Sequence, residues 1–344
     1  MEYYNPFLSH GIFLNRINRF VAKVKISGRV EEVYVPNTGK LSELALPGAE
    51  VLLSSLNNSR FRYKILYIIK DEFPVMIDST YSNRLFHDLI ISEKVPYFEN
   101  IYSAKREVTY ENHRFDFLIK DNQGEHFVEV KSCTLFYDGV ASFPDAVSLR
   151  AAEHVAALAK SSKGTLVFFI LSDSAKIFIP NYHRDYNFYK TLLHYKNEIT
   201  IKALRVSYSN SLDIDTVTDV PVFLPEVGRS GIFILLFRHK NKESFHIVAG
   251  KGNDVFKGIK TFRSGKSSSI NLSEFDFILD IPVITEDKDL SFFLKLMEAN
   301  FNFNKLDFGD VLLLSFKENP AASKKFWEVV LFLWFGDFSR IELF

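Results

Sequence analysis

The chain has 344 residues, 47% of them hydrophobic, with 42 Lys+Arg against 42 Asp+Glu and so no net charge. That length supports two or three domains with their own cores, and the neutral balance excludes a protein whose whole surface grips nucleic acid, leaving room for a local basic patch. The single cysteine, Cys133, excludes an intramolecular disulfide and a multi-cysteine zinc site and fits a cytoplasmic location. Neither a secretory leader nor a membrane-spanning run is expected, and so no membrane partner.

The first eighty or so residues contain β-rich runs at 19–26, 32–35, 49–54 and 63–69, separated by Gly28, PNTGK at 36–40, LPG and NNS. Short strands of this kind within residues 1–81 predict an all-β, OB-like barrel. In PNTGK, Asn37 and Thr38 bring hydrogen-bonding groups and Lys40 a charge, which suits a phosphate contact or a purely structural turn. From residue 82 the pattern turns helical in NRLFHDLIISEK, closed by Pro96. Strands follow at 107–110, 115–119 and 127–130, then a helix at about 145–161 with Asp145 as its cap, an apolar strand at 165–171, a helix near 186–195 and a strand at 199–206. Residues 82–209 thus predict an α/β unit, a mixed sheet flanked by helices. NSLDIDTVTDVP then introduces a third, α+β unit over 210–344, with strands at 231–238 and 245–248 and a helix at 290–300.

The stretch that carries chemistry is RFDFLIKDNQGEHFVEVK, from Arg114 to Lys131. Side chains two apart on a strand share a face, so Glu129 and Lys131 point the same way, and Asp116 can lie opposite them on a paired neighbour. Two carboxylates and an amine at one spot suit an Mg²⁺ or Mn²⁺ centre acting on phosphodiesters, with the acids holding the metal and the lysine near the water or the phosphate. Burying such charges at a sheet rim is costly unless a metal or phosphate compensates. Glu107, in an apparent neighbouring strand, is a further candidate ligand or equally one half of a surface ion pair. Arg150 and His154, four apart, share a helix face that a phosphate could meet. Arg16, Arg19, Asn83 and Arg84 are candidates for lining a cleft between barrel and sheet.

The segments NRINRFVAKV, PNTGK, LPGAEVLLS, NRL, REV, RFDFLI, FVEVKSCTL and DGVASFPDAVSLRAAEHV, in that order over residues 10–206, resemble the sugar fermentation stimulation protein A (SfsA) family of bacteria and archaea. The resemblance implies an OB-type barrel joined to a PD-(D/E)XK nuclease-like domain and an association with DNA. Asp116, Glu129 and Lys131 fall on that nuclease signature, with Phe115 where the motif has proline, and Ala151 stands where the family has glycine. The region after 209, with GIFILLFRHKNKESFHIVAGKG, faintly resembles a GIY-YIG-like domain of unknown function, without the tyrosine pair that names it.

Two readings stay open at this point. One is a DNA-binding protein, DNA ahead of RNA, with a metal-dependent endonuclease or exonuclease centre. The other is a non-catalytic DNA-binding regulator of sugar metabolism that uses the same fold for docking. A carbohydrate or protein interaction module on the barrel is a third.

Overall fold

The structure, a computed structural model, describes residues 7–57, 60–161, 163–240, 244–265 and 273–336. The chain forms two units, Met1–Leu224 and Pro225–Phe344.

The first unit opens with β1 (Leu8–Asn18), β2 (Val21–Ile26), β3 (Arg29–Tyr34), β4 (Glu50–Ser55), β5 (Tyr63–Lys70) and β6 (Phe73–Met76). They pair in the order β3-β2-β1-β4-β5-β6, and a parallel contact between Tyr34 and Lys64 closes the barrel. Alternation sets the strands: Ala22, Val24 and Ile26 face inward from β2 while Lys23 and Lys25 face water. β1 begins well before the run at 19–26. Two register shifts, after Phe13 and after Arg16, let it pair with β4 through its first half and with β2 through its second. Gly11 sits where a Cβ would come within 2.5 Å of Val24 Cγ1, so only glycine fits that close approach.

The same unit continues through α1 (Ser79–Ile91), β7 (Ser103–Tyr110), β8 (His113–Asp121), β9 (Gly124–Cys133), β10 (Leu135–Tyr137), β11 (Val140–Ser142) and α2 (Leu149–Lys160), then β12 (Gly164–Ile170), β13 (Ile177–Phe178), α3 (Tyr186–Tyr195), β14 (Ile199–Tyr208) and β15 (Ile214–Val220). Six strands form a mixed sheet in the order β15-β14-β12-β9-β8-β7, parallel from β9 through β12 to β14. Every residue of β12 is buried, as a strand covered on both faces requires. On one face Phe86 and Ile90 of α1 pack with Val128, Val130 and Phe169. On the other, Val155 and Leu158 of α2 and Phe188 of α3 pack with Phe127, Leu166 and Phe168. Strands β10, β11 and β13 make a small separate sheet.

Three boundaries differ from the sequence pattern for local reasons. α1 starts at Ser79 because the Asp78 carboxylate accepts the Tyr81 N–H. α2 starts at Leu149 because the Ser148 hydroxyl accepts the Ala151 N–H, which leaves Asp145 outside the helix. The run read as the entry to a third unit is instead β15, an edge strand antiparallel to β14; Ile214 and Val217 pack on the sheet core, and the first unit extends to Leu224.

The second unit contains β16 (Gly231–His239), β17 (Phe245–Gly252), α4 (Val255–Arg263), β18 (Phe275–Ile284), α5 (Leu290–Asn300), β19 (Asn304–Asp307), β20 (Val311–Phe316) and α6 (Lys324–Phe335). Its sheet is antiparallel, in the order β18-β16-β17-β20-β19, an α+β arrangement. Among the described residues no helix is long and apolar enough to cross a membrane.

Candidate functional site

Strands β8 and β9 pair from Asp121–Gly124 up to Phe117–Val128, and the ladder stops at the next two positions, Asp116 and Glu129. β9 runs on beside β12, with Glu129, Val130 and Lys131 opposite Leu166, Val167 and Phe168. Where the strands part, the Asp116 side chain supplies the missing backbone partner. Its Oδ2 accepts the Val130 N–H at 2.8 Å, and its Oδ1 accepts the Asn83 Nδ2–H from α1 at 2.8 Å. Helix α1 therefore fixes one carboxylate of the pair.

Helix α2 fixes the other. His154 Nδ1 lies 2.5 Å from Glu129 Oε1, and the Lys131 ammonium donates to the same oxygen at 2.5 Å. His154 Nε2 accepts the Arg150 Nε–H at 3.2 Å, so the imidazole proton sits on Nδ1, directed at Glu129. Glu129 is 3% exposed, and its second oxygen, Oε2, is buried without a hydrogen-bond partner.

Burial raises the Asp116 carboxyl to about 6, and the Glu129 charge adds to the rise; the Val130 N–H, Lys131 and His154 pull it back only in part. Burial also opposes ionisation of Glu129, but His154 and Lys131 more than reverse that, and its pKa falls below the usual range. One carboxylate is thus held charged beside a second that resists its charge. A hard divalent cation fits such a pair: it would take the orphan Oε2 of Glu129 together with an Asp116 oxygen and relieve the repulsion between them. Among the described residues no three His, Cys, Asp or Glu side chains are gathered as a ready metal cage, so other ligands would be water or substrate oxygen.

Glu107 does not join this pair. In the β7–β8 register it is the position opposite Asp116, but its φ of 53° turns it out of the ladder, and its exposed carboxylate lies 3.8 Å from Arg114 Nη1. His154, for which the sequence leaves a phosphate contact and a histidine packed on the sheet equally open, is buried and holds Glu129, while Arg150 is exposed beside it. Asn83, assigned to a cleft, holds Asp116. Arg84, next to it, is exposed.

Arg16 is also a correction. Its guanidinium donates to the carbonyls of Gly39 at 2.6 Å, Lys40 at 2.9 Å, Arg19 at 2.5 Å and Asn37 at 2.6 Å, so it staples the PNTGK turn rather than presenting itself to a phosphate. Asn37 is occupied too: its Nδ2 donates to the Ile77 carbonyl at 2.8 Å and its Oδ1 accepts the Gly39 N–H at 2.7 Å. Arg19, Thr38 and Lys40 remain exposed along this edge. Below the turn lies a group that the sequence pattern hid. Glu43, in what reads as an ordinary loop, is buried, and burial first and the Asp145 charge second push its carboxyl up to about 7. Asp145 reaches the turn through Oδ2, 3.4 Å from the Leu41 N–H.

A family model described as the SfsA N-terminal OB domain matches residues 14–77, and one described as the sugar fermentation stimulation protein RE domain matches residues 80–211. A sugar fermentation stimulation protein homolog of Desulforamulus reducens is 35% identical over 192 residues, 54% of this chain and 80% of that protein. One of Clostridium botulinum is 35% identical over 187 residues, 52% of this chain and 81% of that protein. The solved structure of Pyrococcus furiosus SfsA in complex with Ca²⁺ superposes with a TM-score of 0.60 at 29% identity, covering 65% of this chain and 99% of that one. Identity at this level over four fifths of a relative, with barrel and sheet matched in the same order, makes this chain a member of the sugar fermentation stimulation protein family.

Proposed function

We propose that this protein binds nucleic acid, DNA ahead of RNA, and hydrolyses phosphodiester bonds at a divalent-metal centre held by Asp116 and Glu129. The observation that carries the reading is the buried, unpartnered Oε2 of Glu129 beside an Asp116 carboxyl raised to about 6. A buried acceptor left unpaired is expensive in a protein interior unless something arrives to use it. That the solved Pyrococcus relative is a Ca²⁺ complex is in keeping with a hard divalent ion in this family.

In this reading Asn83 and the Val130 N–H hold Asp116 in place, and His154 holds Glu129 charged. The Lys131 side chain is the more exposed partner of its ion pair, 15% against 4%, and so stands toward solvent where a water or a phosphate oxygen arrives. Its ammonium orients that group by a charge-assisted hydrogen bond, and only after losing a proton, as the neutral amine, would it take up the water's proton. Mg²⁺ or Mn²⁺, when bound, supplies charge neutralisation at the phosphate and a more acidic water. The PD-(D/E)XK nuclease pattern groups residues in this way, with Phe115 in place of its proline.

The test is incubation of the full chain with single-stranded and duplex DNA and RNA in the presence of Mn²⁺. Cleavage by wild type and none by Glu129→Ala is expected. Equal inertness of the two sinks the hydrolytic reading. Salt-sensitive DNA retention that persists in chelator without any cleavage would then favour the non-catalytic regulator.

A further inference from the structure

On the side of the barrel where the segment joining β4 to β5 meets the start of α1 lies a cleft of about 590 Å³. That size is within the range of small-ligand pockets. Its walls carry three aromatic rings, Tyr34, Phe61 and Tyr81, and three cations, Arg60, Lys64 and Arg84. Tyr34 and Phe61 are stacked, 6.3 Å between centroids at 19°, and the Arg60 guanidinium stands 5.6 Å from the Phe61 ring. Lys64 is 6.0 Å from the Tyr81 ring and bonds Asp78 at 2.6 Å, which neutralises the one acid in the cleft and leaves Arg60 and Arg84 as its net charge. The sequence signal is RFRYK at 60–64, basic and aromatic residues in strict alternation.

Helix α1 ties this cleft to the carboxylate pair. Tyr81 and Arg84, three apart, share the face that lines it. Asn83 of the same helix donates to Asp116. An aromatic floor with cations at its rim matches a nucleobase carrying its phosphate. The face of a base is open to a ring in this way only when the nucleotide is unpaired. The β4–β5 connection is moreover one of the loops on which OB barrels carry oligonucleotides. We infer that the Tyr34–Phe61–Tyr81 cleft receives an unpaired nucleotide of a single-stranded nucleic acid, stacked on its rings with Arg60 and Arg84 at the phosphates. The inference names the substrate class of the centre proposed above and rests on that reading, but binding here needs no metal and is measured apart from cleavage.

The experiment is fluorescence anisotropy of a short labelled oligothymidylate, and of a duplex of equal length, with the full chain in chelator at low salt. Tyr81→Ala and Arg84→Ala are each expected to weaken single-strand binding at least about fivefold, the lower end of what one lost base stack removes. Tyr81→Phe, which keeps the ring, is expected to bind as wild type does. Thermal melts check that each variant is folded, and Tyr81→Leu replaces Tyr81→Ala if the latter is not. Single-strand binding by Tyr81→Ala or Tyr81→Leu equal to wild type overturns the inference. So does tighter binding of the duplex, or displacement of the oligomer by an equal concentration of free thymidine monophosphate. Absence of cleavage with this binding pattern intact sinks the hydrolytic reading alone; cleavage that survives while Tyr81→Ala has no effect sinks only the cleft.

Discussion

His154 on α2 directs its Nδ1–H at Oε1 of Glu129 on β9 from 2.5 Å, while Arg150 donates to its other nitrogen. The imidazole therefore positions a carboxylate instead of meeting substrate. For a side chain that orients a metal ligand, removal typically lowers affinity about 10- to 100-fold. His154→Ala is expected to weaken Mn²⁺ or Ca²⁺ binding by at least about tenfold in calorimetric titration, with His154→Asn, which keeps a donor, recovering part of it. Unchanged affinity would show that Glu129 needs no such partner.

Arg16 makes four hydrogen bonds to the carbonyls of Asn37, Gly39, Lys40 and Arg19. Lysine cannot reproduce that planar fork. Arg16→Ala is expected to destabilise the protein by about 2–3 kcal/mol in urea unfolding, and Arg16→Lys to recover little of the loss. If Arg16 served chiefly as a phosphate contact, the same change would leave the urea midpoint in place and lower DNA affinity instead.

Gly39 has no room for a methyl group: a Cβ would stand 2.5 Å from Asp145 Oδ2 and 2.9 Å from Asn37 Oδ1. Gly39→Ala is expected to cost about 1–3 kcal/mol as an overpacking change. Shortening the obstructing side chain should relieve most of that, so Gly39→Ala in an Asp145→Ala background should cost clearly less. A double-mutant cycle with no coupling would rule out Asp145 as the wall against which the turn is packed.

Glu43 gives the stability a pH dependence of definite sign. Its folded carboxyl is raised from 4.5 to about 7, chiefly by burial. The folded state thus binds the proton more tightly than the unfolded chain does. This contribution is complete below about pH 4.5 and is lost as pH rises toward and through 7. Glu43→Gln cannot ionise, so relative to wild type it should gain up to about 3 kcal/mol between pH 4 and pH 8. Melting temperatures of both proteins across that range provide the measurement, and parallel curves would contradict the assignment.

Much of the architecture was readable from periodicity. VEVK predicts that Glu129 and Lys131 share a face, and alternation or continuous apolarity marks β2, β8, β9 and β12 before any contact is known. The misreadings are also physical. β1 was hidden because a doubly bulged strand does not alternate cleanly, and β15 because an edge strand rich in Asp and Thr looks like a linker. Helix starts moved because caps, not apolar spacing, set them: Asp78 and Ser148 each accept an N–H of the first turn.

By itself, the order of residues determined the barrel followed by a mixed sheet, the family, and a row of acids with a lysine at the edge of two adjacent strands. Those depend on near-neighbour geometry, which a period of two or of 3.6 residues encodes directly. Only the tertiary structure decided which candidates meet. It joined Asn83 to Asp116 and His154 to Glu129, sent Glu107 to Arg114, and spent Arg16 on the PNTGK turn. A polar side chain takes whichever partner the packing of distant helices and loops brings within about 3 Å, and sequence spacing carries no record of that distance.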